Sequence, residues 1–150
     1  MQPEDQGADD EIDREVRVPF LLRIFWRTNR HNPIHEYKLG DGSRPSSFPL
    51  NEIQMYTWSD ATLRELVDLL KSTIGEARCN RNARLEFTIV ALDRNAVYVP
   101  RNAGKVSLGR VGPDDEKTLS DLRFDIGDFL DVAIFLPSTH HQGKQRERYL

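Results

Sequence analysis

The chain has a single cysteine, Cys79, among its 150 residues. That excludes an internal disulfide and any zinc site built from several cysteines. No stretch approaches the roughly 20 consecutive apolar residues of a membrane-spanning helix. Asn-x-Ser/Thr sequons and internal repeats are missing too. The first residues lack the basic-then-apolar pattern of a secretory leader. We therefore expect a reducing compartment, cytosol or nucleus, and no membrane contact. Net charge is also small: 21 Lys and Arg against 24 Asp and Glu leave −3.

What is present suffices for one domain. Hydrophobic residues are 38% of the chain, enough apolar material for one core. The charge is unevenly placed. Residues 1–15 carry Glu4, Asp5, Asp9, Asp10, Glu11, Asp13 and Glu15 against Arg14 alone, and offer little beyond Ile12 to a core. We expect a disordered acidic head there. Residues 137–150 open on Pro137 and carry Lys144, Arg146 and Arg148 against Glu147, which reads as a flexible basic tail. Residues 16–136 form the domain between them. It is close to neutral, so global charge gives phosphate binding little help.

The domain opens on an apolar, aromatic run from Pro19 to Arg27, which predicts a strand. Arg23 sets its phase: Phe20, Leu22, Ile24 and Trp26 face the core, and Leu21 and Phe25 share the face of Arg23. Residues 28–50 are rich in Asn, Gly and Pro and predict a long loop, with a short strand at Ile34–Leu39. Glu52–Thr57 alternates polar and apolar, the pattern of a half-buried strand. Leu63, Leu66, Val67, Leu70 and Ile74 make one apolar stripe of a helix of about 12 residues. Thr62 and Glu65 form its capping box and Gly75 ends it. Strands follow at Leu85–Ala91, with Leu85, Phe87 and Ile89 inward, and at Val97–Val99 and Lys105–Val111. Thr118–Asp121 suits one helical turn. Phe129–Leu136 is the last strand, with Leu130, Val132, Ile134 and Leu136 inward. One helix covers one face of a sheet, so the fold class is α+β. The element order resembles the ubiquitin-like β-grasp: a mixed sheet, one main helix on one face and a long loop insertion. A ferredoxin-like split βαβ would need a second full helix.

Motifs for chemistry fail on inspection, so we expect no catalysis, no cofactor and no metal. His31 and His35 have a helical spacing for a metal, but Pro33 stands between them and no cysteine or third histidine is near. Gly104 and Gly109 have a phosphate-loop spacing without the Lys that must follow. Cys79 lies near Arg78 and Arg81 but has no base. Arg78, Arg81 and Arg84 form a small basic cluster, yet Arg84–Ala91 lacks the aromatic pattern of an RNA-recognition sheet.

Three stretches are distinctive: Leu21–Phe25, Tyr56-Thr57-Trp58-Ser59-Asp60-Ala61-Thr62-Leu63-Arg64-Glu65-Leu66, and Ile126–Ile134. With Gly112–Asp115 and Thr118-Leu119 they closely resemble the eighteen-kilodalton Sin-associated polypeptide family, a histone deacetylase corepressor subunit. The likeness covers about residues 19–136. It implies a ubiquitin-like fold and a nuclear adaptor that does no chemistry itself. We expect the chain also in the cytoplasm, and as a monomer on its own. The likeness implies two sets of protein partners. One is the Sin–histone deacetylase corepressor. The other is a splicing-regulatory complex with Acinus and an RNA-recognition-motif splicing activator, which accompanies the exon junction complex and reaches RNA only indirectly. The loop His31–Leu50 is longer than the family's usual connection, and Trp26-Arg27 replaces smaller polar residues. The chain ends on Arg148-Tyr149-Leu150, without the Gly-Gly of conjugated modifiers.

The helix leaves one sheet face free. By the phasing above that face carries Leu21, Arg23 and Phe25 from the first strand and Phe129, Asp131, Ala133 and Phe135 from the last. We expect partner peptides to bind at Leu21, Arg23, Phe25, Phe129, Asp131 and Phe135, with aromatic anchors. The equal alternative is that the long loop or an extra strand folds over this patch. Tyr56, Trp58 and Asp60 read as local packing and capping of the helix start. A second function stays open: weak direct RNA contacts through Arg78, Arg81, Arg84 and the basic tail.

Overall fold

A long cationic side chain is costly to bury without a partner, so Arg23 turns Leu22 and Ile24 to the opposite side of its strand, where both are fully buried. A computed structural model describes residues 14, 17–75 and 80–137. They form β1 (Phe20–Thr28), β2 (Glu52–Thr57), α1 (Leu63–Lys71), β3 (Arg84–Leu92), β4 (Tyr98–Ser107) and β5 (Phe129–Phe135). The strands make one mixed sheet in the order β2-β1-β5-β3-β4. β1 and β5 run parallel, with Arg23 opposite Phe129, and the other neighbours are antiparallel.

Helix α1 packs on one face, as the α+β reading expects. Leu63, Leu66, Val67 and Leu70 meet Leu22, Ile24, Phe87, Ile89, Leu130 and Val132 in the main core. Thr62 caps it, its hydroxyl accepting from the Glu65 N–H at 3.1 Å. The helix is 9 residues long, shorter than its apolar stripe. Ser72 and Thr73 hydroxyls donate to the Leu69 carbonyl, and Thr73 and Ile74 N–H groups both reach Leu70 O. The last turn therefore tightens, and Ile74 is buried from beyond the helix end.

Three further expectations change. The two short strands around Pro100 and Gly104 are one strand, β4. It lies at a sheet edge, where a proline costs no ladder bond, and a register shift opposite Phe87 and Thr88 absorbs the extra residue. Gly104 sits there at φ +151°, where a Cβ would lie 3.0 Å from Asp114 Oδ2. The strand expected at Ile34–Leu39 is a 3-10 turn, Ile34–Glu36, entered through Pro33, followed by an isolated bridge between Lys38 and Ser47. Thr118–Asp121 is a turn rather than a helix. It zips onto the start of α1 through Leu63 N–H to Lys117 O at 2.9 Å and Leu119 N–H to Ala61 O at 3.0 Å.

Candidate partner-binding surface

The sheet face away from α1 is not bare. Segment 29–51 folds across it and lays Tyr37 and Phe48 against Phe25, Val90, Tyr98 and Phe129. Ring centroids are 5.1 Å apart for Phe48 and Phe129, and 5.4 Å for Phe25 and Phe129. The Arg23 guanidinium lies 4.7 Å from the Phe48 ring and 5.2 Å from that of Phe129, stacking in the manner of a cation on an aromatic face. Glu52 accepts from its other edge, with Nη2 to Oε1 at 3.1 Å. That hydrogen bond holds the Glu52 carboxyl below its ordinary range.

Asp131 is the node of this cover. Its side chain is 2% exposed. It accepts from the Asn32 backbone at 3.2 Å, from Asn32 Nδ2 at 2.8 Å and from the Tyr37 hydroxyl. His31 Nδ1 lies 2.8 Å from its Oδ1. Burial first, and then the Asp131 charge, push the Tyr37 hydroxyl pKa well up.

The residues expected to bind partners therefore divide. Phe25, Phe129 and Asp131 are buried under the segment. The expectation of an open face at these three is corrected: an apolar and carboxylate surface of this size is satisfied within the chain. Arg23 is half-buried among the rings. Phe135 is half-buried beneath the Arg84 guanidinium, 4.8 Å from its ring. Leu21 stays open at 40% exposure, directly opposite Tyr56, itself 67% exposed. Tyr56 lies on β2, whose outer edge no other described strand covers, and Leu21 lies one strand in, on β1. A cavity of about 600 Å³ opens between the covering segment and the β3–β4 turn, walled by Tyr37, Leu39, Pro45, Val97 and Tyr98.

The helix start is held from the N-terminal side. Arg14 donates to Asp60 Oδ1 at 2.7 Å and to Glu65 Oε1 at 2.9 Å, and its guanidinium lies 4.8 Å from the Trp58 ring. Hydrogen bonds to Glu65 and Asp60 raise the Arg14 pKa. Trp58 Nε1 donates to Arg17 O at 3.2 Å. Arg14, read from the sequence as part of the acidic head, thus docks on the domain. The remainder of that head, the basic tail from residue 138, Arg78 and Cys79 lie outside the described residues.

The sequence missed His31, Asn32 and Tyr37 as partners of Asp131. The signal was there in part: a carboxylate inside the apolar run Phe129–Phe135 demands donors, and the loop holds them. It also missed Lys105 and Arg110, which join Arg81 and Arg84 around two adjoining clefts. Among the described residues, no group of three or more His, Cys, Asp or Glu is arranged to hold a metal.

The chain belongs to the SAP18 family. The family model for Sin3 associated polypeptide p18 matches residues 11–134. Among similar proteins, the probable histone deacetylase complex subunit SAP18 of Caenorhabditis elegans is 43% identical over 143 residues, 95% of this chain and 84% of that protein. The histone deacetylase complex subunit SAP18 of Arabidopsis thaliana is 44% identical over 128 residues, 84% of this chain and 80% of its own length. The human protein of that name is 41% identical over 129 residues, 85% and 80% of the two chains. The family resemblance drawn from the Tyr56–Leu66 and Ile126–Ile134 motifs is borne out.

Proposed function

We propose that the chain is a non-enzymatic nuclear adaptor of a histone deacetylase corepressor, binding segments of partner proteins. The family match over residues 11–134 carries this reading, with relatives named as histone deacetylase complex subunits at 37% to 44% identity. The fold reading accompanies it. The order β2-β1-β5-β3-β4 with β1 and β5 parallel supports a ubiquitin-like β-grasp. For the contact itself, the exposed Tyr56 on edge strand β2 and Leu21 opposite it on β1 are the natural anchors: an extended peptide can add to the β2 edge and set its side chains on the flanking face. The second setting, an Acinus-containing splicing-regulatory complex that meets RNA through its other subunits, rests on the resemblance of the quoted motifs alone.

The test is immunoprecipitation of the tagged full chain from nuclei, beside a Leu21→Asp, Tyr56→Asp double variant checked by circular dichroism. Phe25→Asp is unsuitable, because it would bury an unpaired charge. Wild type is expected to bring down deacetylase activity and a Sin-type subunit, and the folded variant to lose both. Equal recovery by the variant refutes the Leu21–Tyr56 surface. Wild type recovered without deacetylase activity overturns the corepressor reading. Acinus and its splicing partners in the same precipitate would support the second setting.

A further inference from the structure

The strongest unassigned charge in the described domain lies at the opposite end of the sheet from Leu21 and Tyr56. There the start of β3 pairs with the end of β4, Arg84 opposite Ser107 and Glu86 opposite Lys105. Two adjoining clefts, about 350 Å³ and 340 Å³, share Arg84, Ser107 and Arg110 as walls. Arg81 closes the first and Lys105 the second. Among the described residues two carboxylates engage this cluster: Glu86, 3.2 Å from Arg84 Nη2, and Asp114, whose Oδ2 accepts from the Lys105 backbone N–H at 3.0 Å. Arg81, Lys105 and Arg110 form no ion pair with a described residue and are exposed.

The backbone beneath these cations is fixed. Arg64 of α1 donates to Ser107 O at 2.8 Å and Arg110 O at 2.9 Å while paired with the buried Asp115 at 2.7 Å. Leu108 N–H reaches Ala83 O at 3.0 Å. Gly109 approaches the Arg81 carbonyl so closely that a Cβ would lie 2.8 Å from it, and this approach brings Arg81 and Arg110 to one cleft. Arg84 is itself held, by Glu86 and by its stack on Phe135.

We infer that this cleft, bounded by Arg81, Arg84, Lys105 and Arg110, binds a phosphorylated serine or threonine in a peptide segment of a partner protein. Guanidinium forks match phosphate oxygens in geometry and charge, and the clefts are of a size for one phosphorylated side chain. Single-stranded RNA is disfavoured, because none of the lining residues offers an open aromatic ring for base stacking and Phe135 is already covered by Arg84.

The full chain, labelled with nitrogen-15, is titrated with a Gly-phosphoserine-Gly peptide, with Gly-Ser-Gly, with Gly-Glu-Gly and with a short oligouridylate, following backbone amide shifts. Saturable shifts of Asn82, Ser107, Gly109 and Arg110 are expected with the phosphopeptide, with the glutamate peptide about tenfold weaker or more, since it offers fewer oxygens and less charge. Binding is expected to weaken as salt rises. Arg110→Ala and Arg81→Ala should each weaken it about tenfold and leave the rest of the spectrum unchanged, because the Arg110 carbonyl and not its side chain holds Arg64. Lys105→Ala gives an independent exposed variant. No saturable shift, equal response to serine and phosphoserine, or wild-type binding in all three variants overturns the proposal. Tighter binding of oligouridylate at the same amides overturns it in favour of RNA.

Discussion

Asp131 shows what one carboxylate can do in a sheet. Its neighbours in β5 are apolar, and alone it would be strongly destabilising at this depth. Instead it collects donors from Asn32 and Tyr37 and faces His31, so the segment crossing the aromatic cluster is tied to the sheet at its middle. Removing the acceptor leaves the buried Tyr37 O–H with nothing to donate to. Asp131→Ala should therefore cost about 1–3 kcal/mol for that group, read as a lower urea midpoint. The amides of Lys38 and Ser47, which bond to each other's carbonyls, should also exchange faster than the global loss requires. If their protection falls only in step with β3, the carboxylate is not what fastens the segment.

Among the elements, helix α1 carries its own start signal. Thr62→Ala removes the acceptor of the Glu65 N–H and should cost about 1 kcal/mol. The check is chemical denaturation, and an unchanged midpoint would mean that Arg14 on Asp60 and Glu65 already holds the first turn. Elements of this kind were legible in the sequence, because cap, stripe and strand phase are local patterns. Arg23 set the faces of β1, and Asp131 those of β5, correctly. The family motifs were legible for the same reason, as runs of adjacent residues. What could not be read depends on distant partners. The unity of β4 rests on a bulge opposite β3 and on Asp114 beside Gly104. That the long loop covers Phe25 and Phe129 was one of two equal readings, and what decides for it lies in contacts between residues about a hundred positions apart, such as Asn32 with Asp131. Of the six residues expected to meet partners, this cover buries Phe25, Phe129 and Asp131. It leaves the exposed apolar pair as Leu21 and Tyr56, whose partnership across strands is a matter of register. Lys105 and Arg110 join Arg81 and Arg84 by the same route, through the pairing of β3 with β4.

For the molecule as a whole, the titrating groups divide by sign. The Arg23 hydrogen bond lowers Glu52, and the Lys117 ammonium followed by the Lys105 N–H lowers Asp114. Ser43 and Arg44 donors lower the exposed Asp41. A depressed carboxylate adds stability that is present above its ordinary pKa, about 4, and is lost as pH falls through the depressed value. Asp128 acts in the opposite sense. Burial raises its pKa, so its contribution is present in acid and lost as pH rises through the raised value. Tyr37 and Tyr98 are both raised by burial. Their contribution is complete below the ordinary tyrosine value, about 10, and declines above it, where the unfolded chain releases protons that the folded chain keeps. Urea midpoints measured across pH should therefore show a neutral plateau with falls on both sides. On the acid side Glu52 and Asp114 outnumber Asp128 and are paired with cations, so stability drops there. Glu52→Gln combined with Asp114→Asn should lower the plateau and flatten the acid fall, while leaving the alkaline limb in place. An acid fall as steep in that double variant as in wild type would show that other carboxylates govern it, and that the Arg23–Glu52 and Lys117–Asp114 pairs are surface contacts of little weight.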